Sequence, residues 1–253
     1  MRLSMRSFVL LGLVAFAVAW SFPATAADAI PAPAKAAFDR SVEKAEKGDL
    51  RGAIADLDGA IKAAPKYAAA LSNRGMLKLR AGDADGALAD LNQAIAIDPK
   101  LAAAYKNRGK VWLVTNEVVK AYEDFKRAIA LTPKDGDAHY NMGMALIRSG
   151  DNAEAKKEFD EAIRLNPKDA AAHANRATAR RKLGDTQGAL GDYGRAIQLD
   201  PSDAAAFANR GMMRAAAGDK NGAASDLKAA IALFEKRGNA RLAEAARRQL
   251  EKL

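Results

Sequence analysis

Asparagine recurs along this chain at a spacing of 34 residues. The five residues are Asn73, Asn107, Asn141, Asn175 and Asn209. An amide side chain both donates and accepts hydrogen bonds, which suits it to the backbone of an extended peptide. Three residues after each asparagine comes Met76, Lys110, Met144, Thr178 or Met212. Methionine adapts to varied apolar side chains, so these residue types would suit contact with a polypeptide wherever they share a surface. The alternative is that the asparagines hydrogen-bond only to their own scaffold.

Residues suited to catalysis or to metal binding are few. His139 and His173 are the only histidines, 34 residues apart, and the chain has no cysteine. Equivalent points on stacked helices lie roughly 8–10 Å apart, whereas the nitrogen ligands of one zinc lie about 2.1 Å from it. We therefore predict packing histidines, with a metal site as the alternative. No phosphate-binding glycine loop or nucleophile elbow stands out. We predict no cofactor, no metal and no enzymatic activity.

The same period of 34 runs through the whole chain and predicts the elements that carry the asparagines. Proline stands at residues 65, 99, 133, 167 and 201. Six units follow, at 34–67, 68–101, 102–135, 136–169, 170–203 and 204–237. Within each unit positions 20 and 27 are alanine, position 28 is isoleucine and position 24 is large and apolar or aromatic. That spacing marks one stripe of an α-helix. A regular period of this length predicts a stack of helical hairpins.

A second helix is predicted in the first half of each unit. Position 8 is glycine in four units and alanine in one, which indicates a helix crossing too close for a larger side chain. A Gly-Asp pair at positions 15 and 16 predicts a left-handed residue that ends the first helix and an acid that caps the second. Unit three has Asn116-Glu117 instead. We predict positive φ at Gly48, Gly82, Asn116, Gly150, Gly184 and Gly218.

These motifs resemble those of the tetratricopeptide repeat family. The match comprises the period, the small residue at position 8, Gly-Asp at 15 and 16, alanine at 20 and 27, and proline at 32. It covers residues 34–237. Position 4 departs from the family, because it is aromatic only in Tyr105 and Phe207. The resemblance implies an all-α fold: a right-handed α-solenoid of six helix-turn-helix repeats. Residues 238–253 are predicted to form a capping helix.

The resemblance also implies where a ligand would bind. In this family, positions 2, 5, 6, 9, 12 and 13 of the first helix line a concave groove. The predicted peptide-binding residues are Asn73, Asn107, Asn141, Asn175, Asn209, Lys106, Lys110, Tyr140, Met144 and Arg148. Bases outnumber acids among the groove positions, so the middle of the groove is expected to be basic. The expected ligand is an extended protein segment of neutral to acidic character, bound by a scaffold or adaptor protein.

Charged residues also recur at positions that the resemblance assigns to the scaffold. Position 7 is arginine in Arg74, Arg108, Arg176 and Arg210, and position 23 is acidic in all six units. We predict that each arginine lays its stem along the helix interface and pairs with a position-23 acid. Much of the charge would then be structural.

The N-terminal residues predict export. Arg2 and Arg6 precede an apolar run of 13 residues from Phe8 to Trp20, and Ala24-Thr25-Ala26 offers a cleavage site. We interpret residues 1–26 as a signal peptide and 27–33 as a short flexible leader. An uncleaved membrane anchor is the alternative. A cysteine-free exported helical protein suits a bacterial periplasm.

Net charge leaves a second function open. The formal charge is +9. Export argues against nucleic acid as the partner. Attraction to a polyanion or weak contact with a membrane surface remains an alternative to peptide binding.

Overall fold

The structure, a computed structural model, describes residues 29–253, and within that range it contains thirteen helices and no strand. The helices are α1 (Ala32–Glu46), α2 (Leu50–Ala63), α3 (Ala68–Arg80), α4 (Ala84–Ile97), α5 (Ala102–Val114), α6 (Val118–Leu131), α7 (Gly136–Ser149), α8 (Asn152–Leu165), α9 (Ala170–Lys182), α10 (Thr186–Leu199), α11 (Ala204–Ala216), α12 (Lys220–Lys236) and α13 (Ala240–Leu250). None of them is long and apolar enough to cross a membrane.

The helices form a solenoid of six hairpins, which confirms the predicted helical repeat architecture. The two helices of each hairpin pack against each other, and each second helix packs against the first helix of the next hairpin. The stripe at positions 20, 24 and 27 forms the core. In the second hairpin its members Ala87, Leu91 and Ala94 are fully buried. The small residues let the helices approach closely, and the large residue between them fills the remaining space.

Position 8 shows how close that approach is. A Cβ placed on Gly109 of α5 would lie 2.6 Å from the ring of Phe125 on α6. A Cβ on Gly143 of α7 would lie 2.7 Å from the ring of Phe159. Both distances are shorter than van der Waals contact, so the glycines are required by packing.

The turn between the helices of each hairpin has the predicted backbone. All five glycines at position 15 have positive φ, and Asn116 takes the same conformation with φ of 64°. The prediction for these six residues is confirmed. In the usual turn the following aspartate caps the second helix, as Asp83 does when it accepts the backbone amide of Gly86 at 2.8 Å. Glu117 of the third hairpin makes no such bond.

The N-terminal end of the described chain differs from the predicted boundary, whereas the C-terminal helix lies within the predicted range. The predicted leader, 27–33, is too long, because Ala32 and Pro33 already belong to α1. Proline is favourable in the first turn of a helix, where its missing amide has no intrahelical partner. At the other end α13 packs on α12 within the predicted cap of 238–253. The predicted signal peptide, 1–26, lies outside the described residues.

Candidate functional site

The first helices of successive hairpins contact one another directly, α3 with α5, α5 with α7 and α7 with α9. We call the surface along which the first helices run the first-helix face. All ten predicted peptide-binding residues lie on α3, α5, α7, α9 or α11. Several of them bridge neighbouring first helices, so the solenoid brings these residues together on one face.

The three central asparagines bond to the scaffold itself. The Asn107 amide donates to the Ser72 hydroxyl on α3 at 3.2 Å, and the Asn175 amide donates to the Tyr140 hydroxyl on α7 at 3.1 Å. Asn141 is only 8% exposed and donates to the carbonyl of Asp137 at 2.6 Å. Asn107 and Asn175 therefore link neighbouring first helices, and Asn141 bonds within α7, as the alternative interpretation of the asparagines proposed.

The expectation of a basic centre is wrong. Lys106 Nζ lies 2.7 Å from Asp135 and 3.2 Å from Asp137, and Lys110 Nζ lies 2.8 Å from Asp137. Burial lowers the pKa of Lys106, but the two carboxylates outweigh it and raise that pKa above its usual range. Arg148 donates to the carbonyl of Leu113 on α5. Two lysines thus meet two aspartates, and Arg148, which bonds a neutral carbonyl, is the predicted basic residue of the centre with no ion pair among the described residues.

The ends of the face differ from its centre. Within residues 29–253, neither Asn73 nor Asn209 makes a side-chain hydrogen bond. Asn73 lines a cavity of about 370 Å³ with Val42, Met76 and Arg80. Asn209 lines two cavities, of about 560 Å³ and about 260 Å³. The amides available to a ligand therefore lie at the two ends.

One contributor to the C-terminal end was not among the predicted site residues. Leu242 lies on α13, and it lines the smaller of the two C-terminal cavities beside Met212. Their exposed fractions are 44% and 42%, respectively. Leu242 was predicted on one face of the capping helix, and the sequence contained no sign that this face lines a cavity together with α11.

The position-7 arginines pair as predicted with the position-23 acid of their own hairpin. Arg74 donates two hydrogen bonds of 2.7 Å to Asp90, and Lys78 Nζ lies 2.9 Å from the same carboxylate. The equivalent pairs are Arg108–Asp124, Arg176–Asp192 and Arg210–Asp226, and in the first hairpin Arg40 contacts Asp56 at 3.3 Å. We call these five pairs the arginine–aspartate ladder. Its charges stabilise the helix interface and are not available to a ligand.

In the fourth hairpin a histidine–glutamate contact takes the place of the arginine–aspartate pair. Position 7 there is Met142, and its acid Glu158 instead lies 2.7 Å from Nδ1 of His139. Nε2 of His139 lies 3.0 Å from the carbonyl oxygen of Pro133. His173 lies in the equivalent place, 3.3 Å from the carbonyl of Pro167. Both rings are buried, so the prediction of packing histidines is confirmed. In the part of the chain that the structure describes, no three His, Asp or Glu side chains are grouped to hold a metal ion.

The family assignment follows from comparison with known proteins. The model of the tetratricopeptide repeat family matches residues 38–102, 74–136, 140–204 and 174–240. The chain belongs to the tetratricopeptide repeat family. Proteins with this fold are interaction scaffolds that bind proteins or peptides, and they are generally non-catalytic. No curated protein sequence matches the chain.

Solved tetratricopeptide repeat structures share the fold. YrrB, described as a protein with an unusual peptide-binding site, is 25% identical over 76% of this chain and 97% of its own, with a TM-score of 0.61. PilF of Pseudomonas aeruginosa is 18% identical over 86% of this chain and 97% of its own, with a TM-score of 0.75. A chain of the Cut9–Hcn1 complex is 18% identical over 86% of this chain and 42% of its own, with a TM-score of 0.76.

Proposed function

We propose that this protein is a non-enzymatic scaffold or adaptor that binds an extended protein segment along its first-helix face, which would be the concave face of the solenoid. The observation that carries the proposal is the contrast between the ends and the centre of that face. Asn73 and Asn209 have amides without a partner in residues 29–253, and each lines a cavity beside a methionine. Such residues can bond a peptide backbone and accommodate its apolar side chains.

Two further points support the proposal. YrrB, a structural relative of similar extent, is described as having a peptide-binding site. The ladder also removes many arginines from the free surface, which weakens the alternative of binding to a polyanion or membrane surface by net charge. We further propose, from the N-terminal sequence, that the protein is exported to a bacterial periplasm.

The test is capture of the native partner by crosslinked pull-down from the cell envelope. The groove variant is Asn73→Ala with Asn209→Ala, since neither side chain bonds to the scaffold. The matched control is Lys126→Ala with Lys157→Ala, two exposed residues on second helices. Loss of two hydrogen bonds to the ligand costs about 1–3 kcal/mol, or about 5- to 150-fold in Kd.

We expect the groove variant to lose the partner and the control variant to keep it. Circular dichroism must first show that both variants are folded. Equal capture by the groove variant would contradict the proposal. If capture by the unmodified protein and by both variants falls steeply as the salt concentration is raised, charge-driven binding is favoured instead.

A further inference from the structure

The C-terminal end of the first-helix face is built from the last hairpin and the capping helix together. Asn209 and Met212 of α11 line both cavities at this end. The smaller cavity continues onto α13, at Leu242, Ala245 and Ala246. The capping helix therefore does more than cover the end of the stack: it forms one wall of a cavity.

This end presents apolar side chains that a core would normally cover. Met212 and Leu242 stand on opposite elements and are both more than two-fifths exposed. Ala205 and Ala208 on α11 and Ala245 on α13 line the space near them. Small residues beside two large exposed ones leave a recess in which a bulky apolar side chain can be buried.

One cation without a carboxylate partner among the described residues lines the larger cavity, which shares Asn209 and Met212 with this recess. Arg181 of α9 lines the larger cavity beside Met212. Its neighbour Arg180 pairs with Asp192 at 2.8 Å, whereas Arg181 makes no ion pair among the described residues and lies near the Tyr193 hydroxyl. No acidic residue lines either C-terminal cavity. The charge at this end is therefore positive and unbalanced.

The N-terminal end provides an internal comparison. Its cavity also holds an asparagine and a methionine, Asn73 and Met76, and one arginine, Arg80. There, however, Glu46 also lines the cavity, so the lining holds one acid and one base. Only the C-terminal end combines a recess between two exposed apolar side chains with an uncompensated cation.

We propose that the C-terminal end is the anchoring subsite of the groove and that it selects a large apolar residue close to an acidic one. The apolar side chain enters the recess between Met212 and Leu242. The neighbouring carboxylate pairs with Arg181, and the Asn209 amide bonds the backbone between them. This inference rests on the proposed peptide-binding function and names the chemistry of its ligand.

The test uses a cellulose-bound array of glycine–serine peptides whose two central positions run through every ordered pair of the twenty amino acids. We expect the purified protein to bind best to pairs of Leu, Met or Phe with Asp or Glu. The strongest peptide is then made in soluble labelled form, and its Kd is measured by fluorescence anisotropy.

Three variants locate the contact. Met212→Ala should weaken the labelled peptide about tenfold, and Arg181→Ala about 3- to 10-fold. Arg181→Glu should reverse the charge preference, so that the same peptide with Lys in place of its acid binds better. Met76→Ala, the matched change at the N-terminal end, should alter Kd by less than about twofold. The three side chains that these variants change are at least partly exposed, and circular dichroism checks the fold.

The inference is overturned if the array shows no preference for apolar–acidic pairs, if no peptide binds, or if Met76→Ala costs more than Met212→Ala. The proposed function has a separate readout, because the native partner is captured independently of the array. A partner lost from the Asn73 and Asn209 variant but insensitive to Arg181→Glu would refute the subsite alone.

Discussion

Asp90→Ala tests whether the arginine–aspartate ladder is structural. The Asp90 carboxylate is nearly fully buried and accepts hydrogen bonds from Arg74 while lying 2.9 Å from Lys78 Nζ. Burial raises its pKa, but the two cations outweigh burial and hold the pKa below its usual range. Replacement by alanine removes that anion and leaves both cations beside an apolar methyl group.

The expected loss of unfolding free energy in Asp90→Ala depends on how exposed Arg74 and Lys78 are to water. Breaking a buried ion pair by removing one partner costs about 3–5 kcal/mol. The Arg74 and Lys78 side chains are 18% and 24% exposed, and Arg74 keeps a second partner in Asp58 at 2.7 Å. We therefore expect a loss of roughly 2–3 kcal/mol. For a chain of this size that loss lowers Tm by roughly 4–12 °C.

Urea and thermal unfolding followed by circular dichroism measure this loss. The control is Glu154→Ala, which removes an exposed pair with Lys157 and an acid in the first turn of α8, and should cost less than about 1 kcal/mol. The triple variant Asp90→Leu, Arg74→Met, Lys78→Met replaces the whole cluster by apolar residues and should recover most of the stability. If Asp90→Ala were no more harmful than Glu154→Ala, the ladder would not be holding the hairpin together.

Three further predictions concern the scaffold. The Glu158 carboxylate raises the pKa of His139 above its ordinary value of 6.5, so the folded state binds the proton more tightly than the unfolded state does. The stabilisation by protonated His139 should therefore be complete below about pH 6.5 and disappear as pH rises through the folded pKa. His139→Gln should abolish this pH dependence of the unfolding free energy. Gly109→Ala should lose about 1–3 kcal/mol, because its Cβ would meet Phe125 at 2.6 Å. Gly59→Ala, in a helix with no atom within 4 Å of the new Cβ, should instead gain about 0.5–1 kcal/mol in urea unfolding.

The architecture could be predicted from the sequence because each repeat shows the same constraint again. Alanine at positions 20 and 27 recurs wherever two helices approach closely. The same packing pattern is therefore visible six times in one sequence. Asn116 could be assigned to a left-handed turn because its register matched five glycines. The ladder was equally visible, since Arg74 and Asp90 are repeated in other hairpins at a spacing of 16 residues.

The binding residues were predicted less well, because a polar side chain is available to a ligand only if it has no partner within the folded protein. The position-6 asparagines are identical in sequence, yet Asn175 bonds Tyr140 while Asn209 has alanine, Ala174, at the equivalent place on the preceding first helix and no partner among the described residues. Asp135 neutralises Lys106 from the loop before α7, a position that is not assigned to the groove. Such differences arise from neighbouring hairpins, and no single repeat contains them.

The central claim is that the partner lies along the first-helix face. Site-specific photo-crosslinking in the native host tests it most directly, with a photoreactive phenylalanine analogue placed in turn at Met76, Met144 and Met212 and, as controls, at Lys126 and Lys228 on second helices. We expect one protein to be crosslinked from the methionine positions and to be absent from the lysine positions. Crosslinks to that protein arising mainly from Lys126 and Lys228 would contradict it.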